Sequence, residues 1–292
     1  MDKYITALLK CKGIGNVKVL NYILKYNRNI DDIKNHLDEL IEKEDLSLFD
    51  EYIIQAENEI LQNKNKGINI ISILNNNYPN KLLMIKDPIL YLFYKGDISL
   101  IHNTSIAIIG SRNIDNKDAV LTRDIAKQIA SKGITIVSGL ALGTDANSHI
   151  GSYKESGKTI AVLPSGLNII TPSSNKKIAD DILNNGGLLV SEYSIDTIPT
   201  KYTFVKRDRI QSALSDAIIV IKADEKSGTM NAVKVAQNSN KYVTQYITNN
   251  NKLIINKFNN TTEDINNIIN KAQKQEYKFI KEFSYKQESL FW

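Results

Sequence analysis

Six short runs of branched apolar residues, each set off from the next by a stretch of helical periodicity, constrain this chain more than any other feature. They are SIAIIG (105–110), GITIVSG (133–139), KTIAVLP (158–164), GLLVSEY (187–193), DAIIVIKA (216–223) and KYVTQY (241–246). Runs of Val, Ile and Leu without polar alternation suit strands buried on both faces, as a parallel sheet requires. Between them lie DAVLTRDIAKQIASK, GTDANSHIGSYKES, SNKKIADDILNN, RDRIQSALS and GTMNAVKVAQNS, each able to form a crossover helix. The expectation is a doubly wound α/β domain with a mostly parallel sheet.

The N-terminal region reads differently. From Lys3 to Lys66 the segments YITALLKCK, NVKVLNYILKY, IDDIKNHLDELIEK and SLFDEYIIQAENEILQ space their apolar residues near the helical period. Gly13 and Gly15 stand in a hairpin between two of these helices. It resembles a helix-hairpin-helix, whose backbone amides can meet a nucleic-acid phosphate, and a plain helical turn accounts for it equally well. Pro79 and Pro88 fix extended or turn geometry in the segment that follows. The expected division is a small all-helical domain at 1–66, a connector at 67–100, the α/β domain at 101–270 and a tail at 271–292.

Composition excludes several classes. No run approaches the roughly 18 apolar residues that span a bilayer, so no membrane partner is expected. The start, MDKYITALLKCKG, lacks a small-residue cleavage site. Cys11 is the single cysteine, which excludes an internal disulfide framework and suits a reducing cytoplasm. Charge is unevenly spread: residues 28–60 carry eleven acidic against three basic side chains, net −8 in a chain of +5, which leaves +13 for the rest. A basic body points to a polyanion partner, and a lysine-rich solvated surface is the blander alternative.

In a doubly wound fold, ligands sit beyond the carboxyl ends of the strands. Gly110, Ser111 and Arg112 follow the first run and supply a tight turn, a hydroxyl and a guanidinium. They match neither GxGxxG nor GxxxxGK[ST], which weakens a dinucleotide or P-loop reading. After the second run comes SGLALGTDANSH, from Ser138 through Gly139 and Gly143 to Asp145 and His149. Asp145 and His149 stand one helical turn apart, but three histidines and one cysteine in the chain leave a zinc site short of ligands. A cap for Asp145 and a packing role for His149 are the favoured readings, with no metal and no cofactor expected.

Ser165 and Gly166 open the loop after the third run, and Asn175 begins a helix carrying Lys176. KYTFVKRDRI gathers Lys201, Lys206, Arg207 and Arg209 around Tyr202 and Phe204. That mixture suits single-stranded nucleic acid, where rings stack on bases and cations hold phosphates. A solvated charge cluster beside two core aromatics is the other reading. Ser227, Gly228 and Thr229 at a helix start offer an anion site. No Ser-His-Asp order, paired carboxylates or nucleophilic cysteine supports catalysis, so an enzyme is not expected.

The blocks YPNKLLMIKDPILYLFYKGD, IAIIGSRN, GITIVSGLALGTDANSH, GKTIAVLPSGLNIITPSSNK, GGLLVSEY, TFVKRDRI and SGTMNAVKVA, in this order from Tyr78 to Ile265, resemble the DNA-processing protein A (DprA/Smf) family. The resemblance implies an extended Rossmann-like fold and a non-enzymatic, cytoplasmic homodimer. It further implies binding of single-stranded DNA, protection of incoming strands in natural transformation and loading of the recombinase RecA. By the same resemblance, Arg112, Lys176, Lys201, Arg207 and Arg209 hold the DNA. Ser111, Gly139, Gly143, Asp145, His149 and Ser227 occupy other signature positions; with Gly110, Ser138, Ser165, Gly166, Asn175, Phe204, Gly228 and Thr229 from the post-strand loops they are expected to form the phosphate pocket, Asp145 and His149 holding its loop.

The chain departs from the family pattern at four places. Asp208 stands where asparagine is usual, Thr171 for tyrosine and Ala232 for threonine, and the Pro-Gly after the sixth run is absent. No winged-helix domain is expected at the C-terminus. The rival reading is a nucleotide-binding sensor or phosphoribohydrolase-like enzyme on a related fold. Of the PGGxGTxxE motif usual in such enzymes only SGT appears, which favours the DNA reading.

Overall fold

The computed structural model describes residues 2–155, 157–223, 227–246 and 256–276. Contacts divide it into two compact units on either side of the Phe93–Tyr94 bond.

The first unit is helical: α1 (Asp2–Leu8), α2 (Asn16–Lys25), α3 (Ile30–Asn35) and α4 (Lys43–Asn65) precede the short strand β1 (Asn69–Ser72). Ile5, Leu8, Leu20, Ile23, Ile33 and Phe49 are buried in its core. The Tyr22 hydroxyl donates to the Ile33 carbonyl at 2.6 Å. Gly13 turns the chain between α1 and α2 at φ +68°, a conformation that costs other residues a steric penalty. Strand β2 (Tyr91–Gly96) crosses the boundary between the units.

The second unit alternates strand and helix. In chain order it contains β3 (Ser105–Ile109), α5 (Asn116–Ala130), β4 (Thr135–Ser138), α6 (Thr144–Tyr153), β5 (Thr159–Val162), α7 (Lys176–Asn184) and β6 (Leu188–Ser191). It continues with α8 (Lys201–Leu214), β7 (Ala217–Val220), α9 (Thr229–Asn238), β8 (Tyr242–Tyr246), β9 (Asn256–Phe258) and α10 (Thr262–Gln273). Its seven strands run in the order β6-β5-β4-β3-β7-β8-β9, and every adjacent pair is parallel. The fold is α/β, doubly wound and Rossmann-like, with helices on both faces.

The chain steps outward from β3 to β6, then returns through α8 to place β7 on the other side of β3. Ile106 accordingly pairs with Ile136 of β4 and Ala217 of β7. This reversal is the switch point at which an open α/β sheet leaves a crevice. One face of the sheet packs Ile106, Ile108, Ile136 and Ile219 against Ile125 and Ile129 of α5 and Ile265 and Ile268 of α10. β3, β4, β5, β6 and β7 are buried at every residue, as strands covered on both faces must be.

All six apolar runs form strands, and three further strands occur among the described residues. β1 and β2 lie in the segment expected to be a connector, and β9 lies beyond the sixth run. Helix α8 also starts six residues before RDRIQSALS. Thr200 caps it, accepting from the Thr203 amide at 3.3 Å while Thr203 Oγ1 accepts from the Thr200 amide at 2.8 Å. The positions after β8 where the Pro-Gly is absent, and residues 277–292 of the tail, lie outside the described residues. No described helix is long and apolar enough to cross a membrane.

Candidate functional site

The loop after β4 is built from its own side chains. Asp145, in the first turn of α6, accepts from the Gly139 amide at 3.2 Å and the Ala141 amide at 3.4 Å. Leu140 is fully buried at φ +58°, a left-handed conformation that a branched side chain adopts only when its surroundings impose it. Asn175, which precedes α7, supplies part of that restraint by donating to the Leu140 and Ala141 carbonyls at 2.9 and 3.1 Å. Gly143, at φ +72°, lies so close to the Ser111 carbonyl that a Cβ there would meet it at 2.5 Å. Ser138 is buried with its hydroxyl on the Ile108 carbonyl.

His149 lies behind this loop with no exposed surface. Its Nδ1 is 2.7 Å from Thr159 Oγ1, which itself donates to the Ile136 carbonyl. The threonine proton being committed, Nδ1 carries the hydrogen and the imidazole is neutral. Burial, reinforced by the Arg207 charge, pushes its pKa down to about 3.

A cleft of about 730 Å³ opens beside the loop, at the carboxyl ends of β3 and β7 where the strand order reverses. Of the residues singled out in the sequence, it brings together Gly110, Ser111 and Arg112 after β3, Asp145 from α6, Phe204 and Arg207 from α8, and Ser227, Gly228 and Thr229 ahead of and at the start of α9. The early start of α8 explains its contribution. Phe204, Arg207, Asp208 and Gln211 recur at helical spacing and share the face turned to the cleft. Asp208, noted only as a departure, and Gln211, Lys222 and Asn231 are lining residues that sequence reasoning did not place there.

Arg207 is the centre of the arrangement, with 4% of its surface exposed. Its Nη1 lies 3.5 Å from Asp145 Oδ2 and its Nε 3.4 Å from Asp208 Oδ1. Neither nitrogen has a hydrogen-bond partner among the described residues. The same holds for Gln211 Nε2 and Ser227 Oγ, both buried. Four buried polar atoms of this kind in one cleft amount to capacity for an acceptor-rich ligand, because leaving such groups unsatisfied costs about 1–3 kcal/mol each. Arg112 lies over the Phe204 ring at 4.9 Å and Arg207 flanks it at 5.9 Å, so the phenyl group spaces two cations. Gly139 makes room for Arg207: a Cβ there would fall 1.1 Å from Nη1.

The remaining positions lie outside the cleft lining. Arg209 is buried on another side of α8, where its Nη2 donates to Glu192 Oε1 at 2.7 Å. Ser165 donates to the Ile169 carbonyl, and the Gly166 amide donates to the Thr197 carbonyl. Lys201 and Lys176 are exposed, the latter 3.4 Å from Asp180. No group of three or more metal-ligating side chains occurs among the described residues.

Comparison with known proteins agrees with the fold. A family model described as DNA recombination-mediator protein A matches residues 69–279. Protein Smf of Borreliella burgdorferi is 32% identical over 234 residues, 78% of this chain and 72% of that protein. The X-ray structure of DNA processing protein A from Streptococcus pneumoniae superposes with a TM-score of 0.71 at 27% identity, covering 96% of this chain and 95% of that one. The structure of DNA processing protein A from Helicobacter pylori, which concerns its single-stranded DNA binding mode, gives 0.61 at 31% identity over 72% of this chain and 97% of that one. The family model spans most of the chain and the Borreliella burgdorferi protein is 32% identical over 78% of it, so this protein belongs to the DNA recombination-mediator protein A (DprA/Smf) family.

Proposed function

We propose that the cleft seats a phosphate of single-stranded DNA and that the exposed basic side chains of the second unit guide the strand towards it. The observation carrying this reading is Arg207, buried in the cleft with two nitrogens that have no hydrogen-bond partner among the described residues. A phosphodiester offers acceptors to the Arg207, Gln211 and Ser227 donors at once. Arg112 adds a second cation, and Lys201 and Lys176 extend the positive surface. Gly110, Ser111, Gly228 and Thr229 supply the close backbone walls. Ser138, Gly139, Gly143, Ser165, Gly166, Asn175, Asp145 and His149 support the loops behind them.

The protein acts by binding rather than catalysis. As a cytoplasmic homodimer it protects single strands and helps load RecA in recombination and natural transformation, a role supported by family membership. Fluorescence anisotropy with a labelled dT oligomer across a salt titration tests the core of the reading. Wild type is expected to bind with steep salt dependence and the Arg112→Ala/Arg207→Gln variant to lose most of the affinity. Equal binding by both proteins would refute it.

The cleft volume also falls within the range of small-molecule sites, which favours a mononucleotide as second reading. A thermal-shift screen with AMP, cyclic nucleotides and ADP-ribose separates the two, since a ligand of the folded state raises the melting temperature.

A further inference from the structure

Asp208 occupies an unusual place for a carboxylate. It lines the cleft one residue after Arg207, with 14% of its side chain exposed and Oδ1 3.4 Å from Arg207 Nε. The described groups that face it come from four elements. Arg207 lies on its own helix, Asp145 at the start of α6, Asn231 in the first turn of α9 and Arg112 after β3. With all of them ionised, two arginines meet two carboxylates and the cluster is neutral. Any anion that enters must then compete with Asp208 for Arg207.

We infer that Asp208 makes the cleft a proton-linked anion site, in which the entering phosphate displaces Asp208 from Arg207 and the displaced carboxylate takes up a proton. The inference rests on the phosphate-binding reading above and adds a regulator to it. Asp145 is the less suited of the two carboxylates to yield its place, because it accepts the Gly139 and Ala141 amides that shape the loop. Asp208 carries no such structural duty to backbone amides among the described hydrogen bonds. Burial, with the Asp145 charge adding to it, raises the Asp208 pKa to about 6 against the pull of Arg207, Asn231 and Arg112. An anion beside it raises the value further, so binding near neutral pH draws in a proton.

The sign follows from linkage. Above pH 6 the free cleft holds an ionised Asp208 and the occupied cleft a protonated one, so affinity falls as pH rises. For one linked proton the slope approaches tenfold per pH unit. The same group affects stability without any ligand. Its folded-state pKa lies above the value of about 3.9 in unfolded chains, so protonation favours the folded state. The stabilisation is fully present below pH 3.9 and is lost as pH rises to 6.

The test measures dT-oligomer anisotropy and sulfate binding by calorimetry from pH 5.5 to 8 at fixed ionic strength, for wild type and Asp208→Asn. Neither ligand changes charge over this range. Wild-type affinity should fall by between three- and tenfold per unit above pH 6, whereas Asp208→Asn should bind more tightly at pH 7.5 with a flat profile. A flat wild-type profile, or an equal slope in the variant, overturns the proposal and leaves the DNA reading standing. If neither protein binds DNA, that reading fails, and the sulfate series alone decides: a slope confined to wild type upholds the linkage, and a flat or absent response ends it. Melting temperatures of the two proteins from pH 3.5 to 7 confirm that the variant folds. Their difference isolates Asp208, since His149 is common to both.

Discussion

Helix α8 carries two buried arginines only two residues apart, and they meet their carboxylates at different distances. Arg209 donates to Glu192 at 2.7 Å, with 8% of its side chain and 12% of the partner's exposed, the distance of a charge-assisted hydrogen bond. Arg207 has two carboxylates near it, both beyond 3.3 Å, and two nitrogens without a hydrogen-bond partner among the described residues. Two successive steps of 100° around one helix separate a side chain that pairs with Glu192, just after β6, from one that lines the cleft. Burial alone therefore does not distinguish the two side chains; the distance to their carboxylates and the cleft lined by Arg207 do.

Breaking the Arg209 side should produce the largest change in stability. Arg209→Ala removes the guanidinium from buried Glu192, and loss of one member of a buried pair costs about 3–5 kcal/mol. Urea unfolding should show that loss, and Glu192→Gln in the same chain should recover part of it. An unchanged midpoint for Arg209→Ala would contradict the contrast.

Breaking the Arg207 side should act on ligand affinity first. Arg207→Gln removes the charge while keeping an amide donor, a net loss of about one charge-assisted bond of roughly 1.5–3 kcal/mol, so DNA affinity should fall by about ten- to a hundredfold. Its unfolding midpoint should move less than that of Arg209→Ala, because Asp145 keeps its bonds to the loop amides and the pKa of Asp208 is already raised. A larger stability loss in Arg207→Gln than in Arg209→Ala would invert the comparison.

The smallest effects belong to the exposed cations. Lys201→Ala should leave stability within about 0.5 kcal/mol. It should weaken binding to all sequences alike, reducing the logarithmic salt slope by about one for the lost phosphate contact. No change in slope would place Lys201 off the path of the strand.

The sheet was legible because its chemistry is local. A strand covered on both faces needs a continuous apolar run, and SIAII or TIAV can satisfy few other environments. β9 escaped because only Phe258 of its three residues is buried, and β1 because NIIS sits in a segment punctuated by prolines and asparagines. The start of α8 was concealed by a basic run that reads as surface, although Thr200 and Thr203 hold a recognisable cap. With that start known, Phe204, Arg207, Asp208 and Gln211 fall on one face. Which of Arg207 and Arg209 pairs with a buried carboxylate depends on Glu192, which follows β6 and is invisible to any count along the helix.

The contact between Gly139 and Arg207 also limits how such a chain can change over generations. Any side chain at 139 would collide with the guanidinium where it now lies, so a substitution there requires the residue 207 side chain to move or to shorten. Once a lineage has lost the arginine and filled the space, regaining it needs both positions to revert, the glycine first. Geometry thus couples the two positions, and a change at either one alters what the other can hold.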